Sequence, residues 1–343
     1  MTQASSGAWG EAETRFFYEL TPERILDAVE ATGFRPTGRC YALNSLENRV
    51  YDVEIEVQGE VRSPSDRFRV VKFYRPGRWT DEQIFAEHDF LAALAEQELP
   101  VAPPLEIADD STLALVEETG IRCAVWPRIG GRIADELDEE RIRRLGHLMA
   151  RVHNVGEYCD ADSRIRLDPD TYGRENLEFL LEHDILPDSV RDSYSALVET
   201  LCTTVDPWFE AVEYQAVHGD CHIGNVLWRD EGPFLVDFDD MVRGPCVQDV
   251  WLIAPGRDPE GVHLRQAFLE AYSDFREFDH ASLRLVEPLR ALRYIHFTAW
   301  IARRREDPAF QRVFGDFGTE RYWYEQVASL KEQLGLIQES AWS

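Results

Sequence analysis

The feature that most limits the folds open to this chain is a change of period partway along it. Val50 to Val57 alternates apolar and polar side chains, Gln58-Gly59 reads as a turn, and Arg67 to Tyr74 alternates again, which predicts an antiparallel hairpin. Thr80 with Gln83 three residues on has capping-box spacing and opens a helix to about Gln97, before Pro100. Pro100 to Pro104 leads into further strands that end in Cys123-Ala124-Val125-Trp126, and Pro127-Arg128-Ile129-Gly130-Gly131 then reads as a linker. Beyond it the period becomes helical: Ile142, Leu145, Leu148, Met149 and Val152 share one face of 138–152, with weaker repeats at 175–183, 188–214 and 263–275.

An earlier short helix is predicted over 21–32, with Thr21 as N-cap, Pro22 at the first helical position and Gly33 to end it. The exception in the helical half is a polar stretch, HGDCHIGN at 218–225, between brief apolar strands at 216–217 and 234–236. At 343 residues the chain is long enough for two packed lobes. The fold class expected is α+β: a β-rich N-lobe over 1–126, a hinge at 127–131, a mainly helical C-lobe over 132–343 carrying one polar hairpin, and a cleft between the lobes.

Charge narrows the function classes. With 36 Lys+Arg against 64 Asp+Glu the net charge is −28, so nonspecific binding to nucleic acid or to an anionic membrane would need a basic patch set against that field. The one modest basic run, Arg303-Arg304-Arg305, reads as a solvated helix end. No stretch approaches the length of a membrane span, the N-terminus lacks a basic start and an apolar segment, and the six cysteines show no C-x-x-C pair. The expectation is a cytoplasmic monomer that engages neither nucleic acid nor membrane.

Lysine is nearly absent: only Lys72 and Lys331 occur. Alternation places Lys72 on one strand face with Val70, where it either snorkels at a strand edge or holds the oxygens of a nucleotide phosphate. In a chain that elsewhere chooses arginine, the compact ammonium favours the second. Ile84, Glu87, Leu91 and Leu94 step along one helical stripe, so Glu87 either sits at the border of that stripe or is buried and needs a partner. Lys72, one element earlier, is the natural one, with Glu82 as the fallback carboxylate.

His218, Cys221 and His222 have zinc-ligand side chains, but no second pair completes a four-ligand spacing, and adjacent Cys221 and His222 do not suit a nucleophile with its base. Phosphoryl transfer uses more of the residues. It needs a carboxylate to orient and deprotonate a hydroxyl and oxygen ligands for magnesium; Asp220, Asn225 five residues on, and Asp237 after the next apolar strand supply them.

Here the residues resemble a known family. Asp220 and Asn225 have the spacing of the protein-kinase catalytic loop, Asp237 stands at the metal-binding Asp-Phe-Gly position, and Lys72 with Glu87 fit the strand lysine and helix glutamate. His-Gly-Asp at 218–220 is similar to the aminoglycoside phosphotransferase and choline kinase branch. ALNSLENRVY (42–51), VVKFYRPGRW (70–79), AVWPRIGGR (124–132), HGDCHIGNVLWRD (218–230) and GPCVQDVW (244–251) together resemble the bacterial stress response kinases, serine/threonine protein kinases of that fold, over roughly residues 15 to 330.

The resemblance implies ATP and Mg2+ as cofactors, Asp220 as base, Asn225 and Asp237 as metal ligands, Lys72 and Ser45 on phosphate, and the backbone of Trp126 to Ile129 around adenine. Asp237 counts with Asp220 in the catalytic pair, His218 and Asp249 are implied supports, and the implied partner is a protein carrying Ser or Thr. Departures accompany it. The loop 42–51 has no glycine, so Asn44, Ser45 or backbone amides must meet phosphate. Asp239 stands for the glycine of Asp-Phe-Gly, Gly219 replaces the arginine that reads a phosphorylated activation loop, and only 12 positions separate Asp237 from Asp249. A small-molecule kinase of the aminoglycoside, choline or homoserine type and a silent nucleotide-binding module stand as alternatives.

Overall fold

A computed structural model of the chain describes residue 17 and residues 20 to 341, apart from 58, 108, 109 and 118. The N-terminal residues read for a leader, and Gln58 of the expected turn, lie outside the described residues.

Thr21 accepts from the Arg24 amide and Pro22 takes the first helical position, so α1 runs Pro22–Ala31. Strands β1 (Pro36–Ala42), β2 (Arg49–Ile55) and β3 (Phe68–Phe73) follow, with a 3-10 turn over Pro64–Arg67 before β3. Thr80 and Gln83 cap each other at the start of α2 (Asp81–Glu96), and β4 (Ala114–Val116) and β5 (Ile121–Pro127) complete an antiparallel sheet of order β1-β2-β3-β5-β4.

Alternation across β3 decides what each face of that sheet does. Val71 and Phe73 pack with Val53, Val125, Ile25 and Val29 in a core between the sheet and α1. Lys72, opposite Val50 on one side and Ala124 on the other, faces α2 instead. Pro127, read as the start of the linker, is the last residue of β5 and lies opposite Arg69.

After β6 (Arg132–Ile133) the chain is mainly helical: α3 (Glu139–Gly156), α4 (Glu175–Glu182), α5 (Asp188–Phe209), and later α6 (Val247–Ile253), α7 (Pro259–Tyr272), α8 (Val286–Arg303), α9 (Pro308–Val313) and α10 (Glu320–Ala341). The predicted helices over 188–214 and 263–275 are present but displaced, the first ending at Phe209 and the second starting at Pro259 behind the Asp258 cap. Gly146 lets α3 approach α7 closely, since a Cβ there would run into the Phe268 carbonyl.

The expected polar hairpin does not form between 216–217 and 234–236. Instead β7 (Gln215–Val217) pairs with β10 (Val242–Gly244), while β8 (Val226–Arg229) and β9 (Gly232–Leu235) form their own hairpin extended by β6. The physical reason is that the run Val226-Leu227-Trp228 is itself a strand and takes the partner that 216–217 was expected to have. Arg303-Arg304-Arg305 is solvated only at Arg305: Arg304 is 4 % exposed, and Arg303 donates to Asn176 at 2.7 Å and stacks on Phe179. Buried acidic and aromatic partners, invisible in a local reading, offset the desolvation. Among the described residues no helix is long and apolar enough to cross a membrane.

Candidate active site

HGDCHIGN begins where β7 ends, and its backbone is held from below by α6. The Asp249 carboxylate accepts from the amides of His218 and Gly219 at 3.0 and 2.9 Å and pairs with buried His153 at 3.1 Å. Gln248 donates to the Gly219 carbonyl at 2.7 Å. Gly219 has φ +81 and lies against the Asp240 carbonyl, a place closed to any Cβ, so glycine here serves backbone approach.

His218 Nε2 lies 3.1 Å from the Val236 carbonyl, an acceptor only, so that nitrogen carries the proton; the ring packs on Phe238 at 4.3 Å. Cys221 is fully buried with Sγ 3.8 Å from Met149 Sδ, and burial pushes its thiol well up, as an inert framework residue should show. His222 caps the short turn Ile223–Asn225 by accepting from the Gly224 amide at 2.9 Å. Asn225 Nδ2 donates to the Asp220 carbonyl at 2.9 Å, which commits the amide nitrogen and leaves Oδ1 as the acceptor end.

Lys72 and Glu87 meet as expected, at 2.9 Å, with Glu87 1 % exposed on the α2 stripe. Asp239 joins them: its carboxylate is 3.1 Å from the same ammonium. Burial alone would lower the Lys72 pKa, and the Asp239 and Glu87 carboxylates overcome it and hold the amine well above its ordinary value. The two acids are then unequal. Burial would raise both, but Lys72, Arg78 and Arg164 together pull Asp239 below its usual range, whereas burial outweighs Lys72 at Glu87 and leaves that carboxyl raised. The departure from Asp-Phe-Gly noted at Asp239 is thus a third member of the lysine's ion cluster. Asp237, two residues earlier, has φ +63, a left-handed conformation that costs an aspartate energy and that clusters at functional sites.

Two cavities flank these residues. The first encloses about 310 Å³, and Ser45, Lys72, Glu87, Trp126, Ile129 and Asp237 all line it. Val50, Val70, Leu227 and Leu235 give it apolar walls. The second, about 160 Å³, is lined by Asp220 together with Arg78, Asp240, Arg293 and Trp300. Arg293 of α8 reaches Asp220 Oδ1 at 2.8 Å, and Asn225 lines neither cavity.

The loop 43–48 lies between them, giving Asn44 and Ser45 to the first cavity and Glu47 to the second. Sequence reasoning missed Glu47, Arg78, Arg293 and Trp300. Glu47 and Arg78 stand inside the stretches ALNSLENRVY and VVKFYRPGRW, where their charge was a visible signal; Arg293 and Trp300 had none, because α8 is separated from Asp220 by more of the chain than local pattern can span.

Among the described residues no group of three or more acidic, His or Cys side chains could hold a metal by itself. Asp237 and Asn225 nonetheless fit a hard cation, since magnesium takes one or two protein oxygens and completes its shell with phosphate and water.

The model of the phosphotransferase enzyme family matches residues 42–286. Stress response kinase A of Escherichia coli (strain K12) is 37 % identical over 325 residues, covering 94 % of this chain and 95 % of that protein. A serine/threonine protein kinase RdoA of Salmonella typhimurium is 35 % identical over the same 94 % and 95 %. Among solved structures, amicoumacin kinase hAmiN in complex with AMP-PNP, Ca2+ and Ami superposes with a TM-score of 0.67 at 18 % identity, covering 87 % of this chain and 92 % of that one. The microcompartment-associated aminopropanol kinase gives 0.63 at 18 % identity, covering 92 % and 96 %. The chain therefore belongs to the phosphotransferase enzyme family, within the branch of the stress response kinases, and is an enzyme that transfers phosphate.

Proposed function

We propose that the chain is an ATP-dependent serine/threonine protein kinase that uses Mg2+, with residues 1–126 as a nucleotide-binding N-lobe, 127–131 as hinge and 132–343 as the catalytic C-lobe. The observation that carries the protein-substrate reading is the size of the Asp220 cavity. About 160 Å³ is below the range of pockets that enclose drug-sized molecules, and it suits one side chain bearing a hydroxyl. The larger cavity suits a nucleotide, with adenine against the backbone of Trp126 to Ile129 and phosphates toward Ser45 and Lys72.

In this reading Asp220 orients the acceptor hydroxyl and takes its proton as the oxygen attacks the γ-phosphorus; the bond to the β,γ-bridging oxygen breaks and ADP leaves. Lys72, fixed by Glu87, holds phosphate oxygens. Asn225 and Asp237 hold magnesium, which when bound neutralises charge on the phosphates. The six free thiols fit a reducing cytoplasm, and the chain acts as a monomer.

A second reading has one observation in its favour: solved structures of this fold include kinases named for amicoumacin, aminopropanol and spectinomycin. A γ-labelled ATP assay separates the two. The protein alone, with a basic protein acceptor and with a panel of amino alcohols and aminoglycosides, is expected to label protein; label on a small molecule alone would overturn the protein-kinase reading.

A further inference from the structure

Glu47 sits at the meeting point of three segments. Its carboxylate is 3.2 Å from Arg75 Nε and 2.9 Å from Arg78 Nη1, both in the connection between β3 and α2, and it accepts from Arg304 Nη2 at 2.8 Å and Trp300 Nε1 at 2.6 Å, both from α8 and its end. Next to this cluster Asp307 takes Arg75 at 3.0 Å and Arg49 at 3.5 Å, while Arg78 also pairs with Asp240. The side chain of Glu47 is 12 % exposed and that of Arg75 is fully buried, so the anchor is built inside the protein, where a charge removed on one side leaves the others uncompensated.

The anchor has a direction. Two residues before Glu47, Ser45 lines the larger cavity; beyond Glu47, Trp300 lies on α8 and Arg304 at its C-terminal cap, and Arg293, two turns before Trp300 on that helix, pairs with Asp220 at 2.8 Å. A nucleotide that fixes Ser45 and Asn44 therefore acts, through one buried carboxylate, on the helix that positions the partner of Asp220. A loop without glycine, tied this way, transmits displacement rather than absorbing it.

We infer that Glu47 is a positioning residue that couples occupation of the nucleotide cavity to the shape of the acceptor cavity, through Trp300, Arg304 and the α8 face that carries Arg293. This rests on the nucleotide reading of the larger cavity. Coupling between two sites of this kind is worth about 5- to 150-fold in affinity, and it is reciprocal.

Amide hydrogen exchange on the full chain tests it, with AMP-PNP and Mg2+ as the probe. In the unmodified protein AMP-PNP slows exchange at 43–48 and also at 300–307, about 5-fold or more. In Glu47→Gln, which keeps the shape and removes the charge, AMP-PNP slows exchange at 43–48 alone. Trp300→Phe, which keeps the ring packing and removes one donor to Glu47, gives a partial loss and serves if Glu47→Gln does not fold. A purely structural role lowers the melting temperature of both variants and leaves protection at 300–307 intact; that result, or its absence from the unmodified protein while AMP-PNP binds, overturns the inference. Failure of AMP-PNP to bind at all overturns the nucleotide reading and this inference with it.

Discussion

The cavity around Lys72 and the cavity around Asp220 share a wall, yet they are built from different materials. Strand residues Val50 and Val70 and the hairpin residues Leu227 and Leu235 line the first, and its charges are Lys72, Glu87 and Asp237, with Asp239 paired to the Lys72 ammonium from behind. The second is lined by charge and aromatic rings from four distant segments: Glu47, Arg78, Asp220 and the α8 face of Arg293, Phe297 and Trp300. An apolar slot with one charged end tolerates a large flat ligand whose polar part points one way. A small chamber of paired charges does not, because each pair broken by a misplaced group exposes an uncompensated charge. The difference teaches that adenine and phosphate recognition can rest on sheet geometry, while the choice of acceptor rests on long-range ion pairing.

The sharpest way to break this comparison is at the base. Asp220→Asn is expected to retain nucleotide binding and lose transfer by about 10²- to 10⁴-fold, read as single-turnover transfer beside AMP-PNP affinity. Unchanged turnover would remove Asp220 from the chemistry and leave the smaller cavity without a role. On the other side of the wall, Lys72→Met leaves Glu87 as a buried carboxylate without its ammonium, while Asp239 keeps Arg78, at a cost of about 3–5 kcal/mol in unfolding free energy. Nucleotide affinity should fall with it; a stability loss with full affinity would make Lys72 structural alone.

The wall itself gives the smallest effect. Burial would raise the Glu47 carboxyl, but Arg304, Arg78 and Arg75 hold it down at about 2. A group depressed in the folded state adds stability that is complete above its unfolded pKa and fades as pH falls toward the folded one. Roughly 3 kcal/mol should therefore disappear between about pH 4.5 and pH 2. Urea unfolding near neutrality and near pH 3 checks it: the unmodified protein should lose stability more steeply than Glu47→Gln, which lacks this carboxylate. Parallel losses would mean that the three arginines do not hold this carboxylate.

Much of the larger cavity was legible before the structure. Ser45, Lys72, Glu87, Trp126, Ile129 and Asp237 were each singled out in sequence and all line it. Lys72 was readable by strand alternation and Glu87 by its helical stripe, both local periods; Asp237 was picked out as a carboxylate after an apolar strand, and Ser45, Trp126 and Ile129 were implied by the family resemblance alone. The pairing of HGDCHIGN was misread for the complementary reason. Strand partners are chosen by which edges meet in space, and β7 found β10 on the far side of the loop where the nearer run was expected. Arg304 was misread as solvated because its partner Glu47 lies 257 positions away.

By itself the sequence determined the capped helices α1 and α2, the strands around Lys72, the two-part α+β character and the set of oxygen and ammonium groups suited to phosphoryl transfer, since caps, alternation and residue chemistry act over a few positions. Only the tertiary structure decided which strands pair, that Asp239 shares the Lys72 ammonium, and that Glu47, Arg293 and Trp300 belong to the same wall. Buried charges must find partners wherever the packed chain brings them, and that distance is not written in any local pattern.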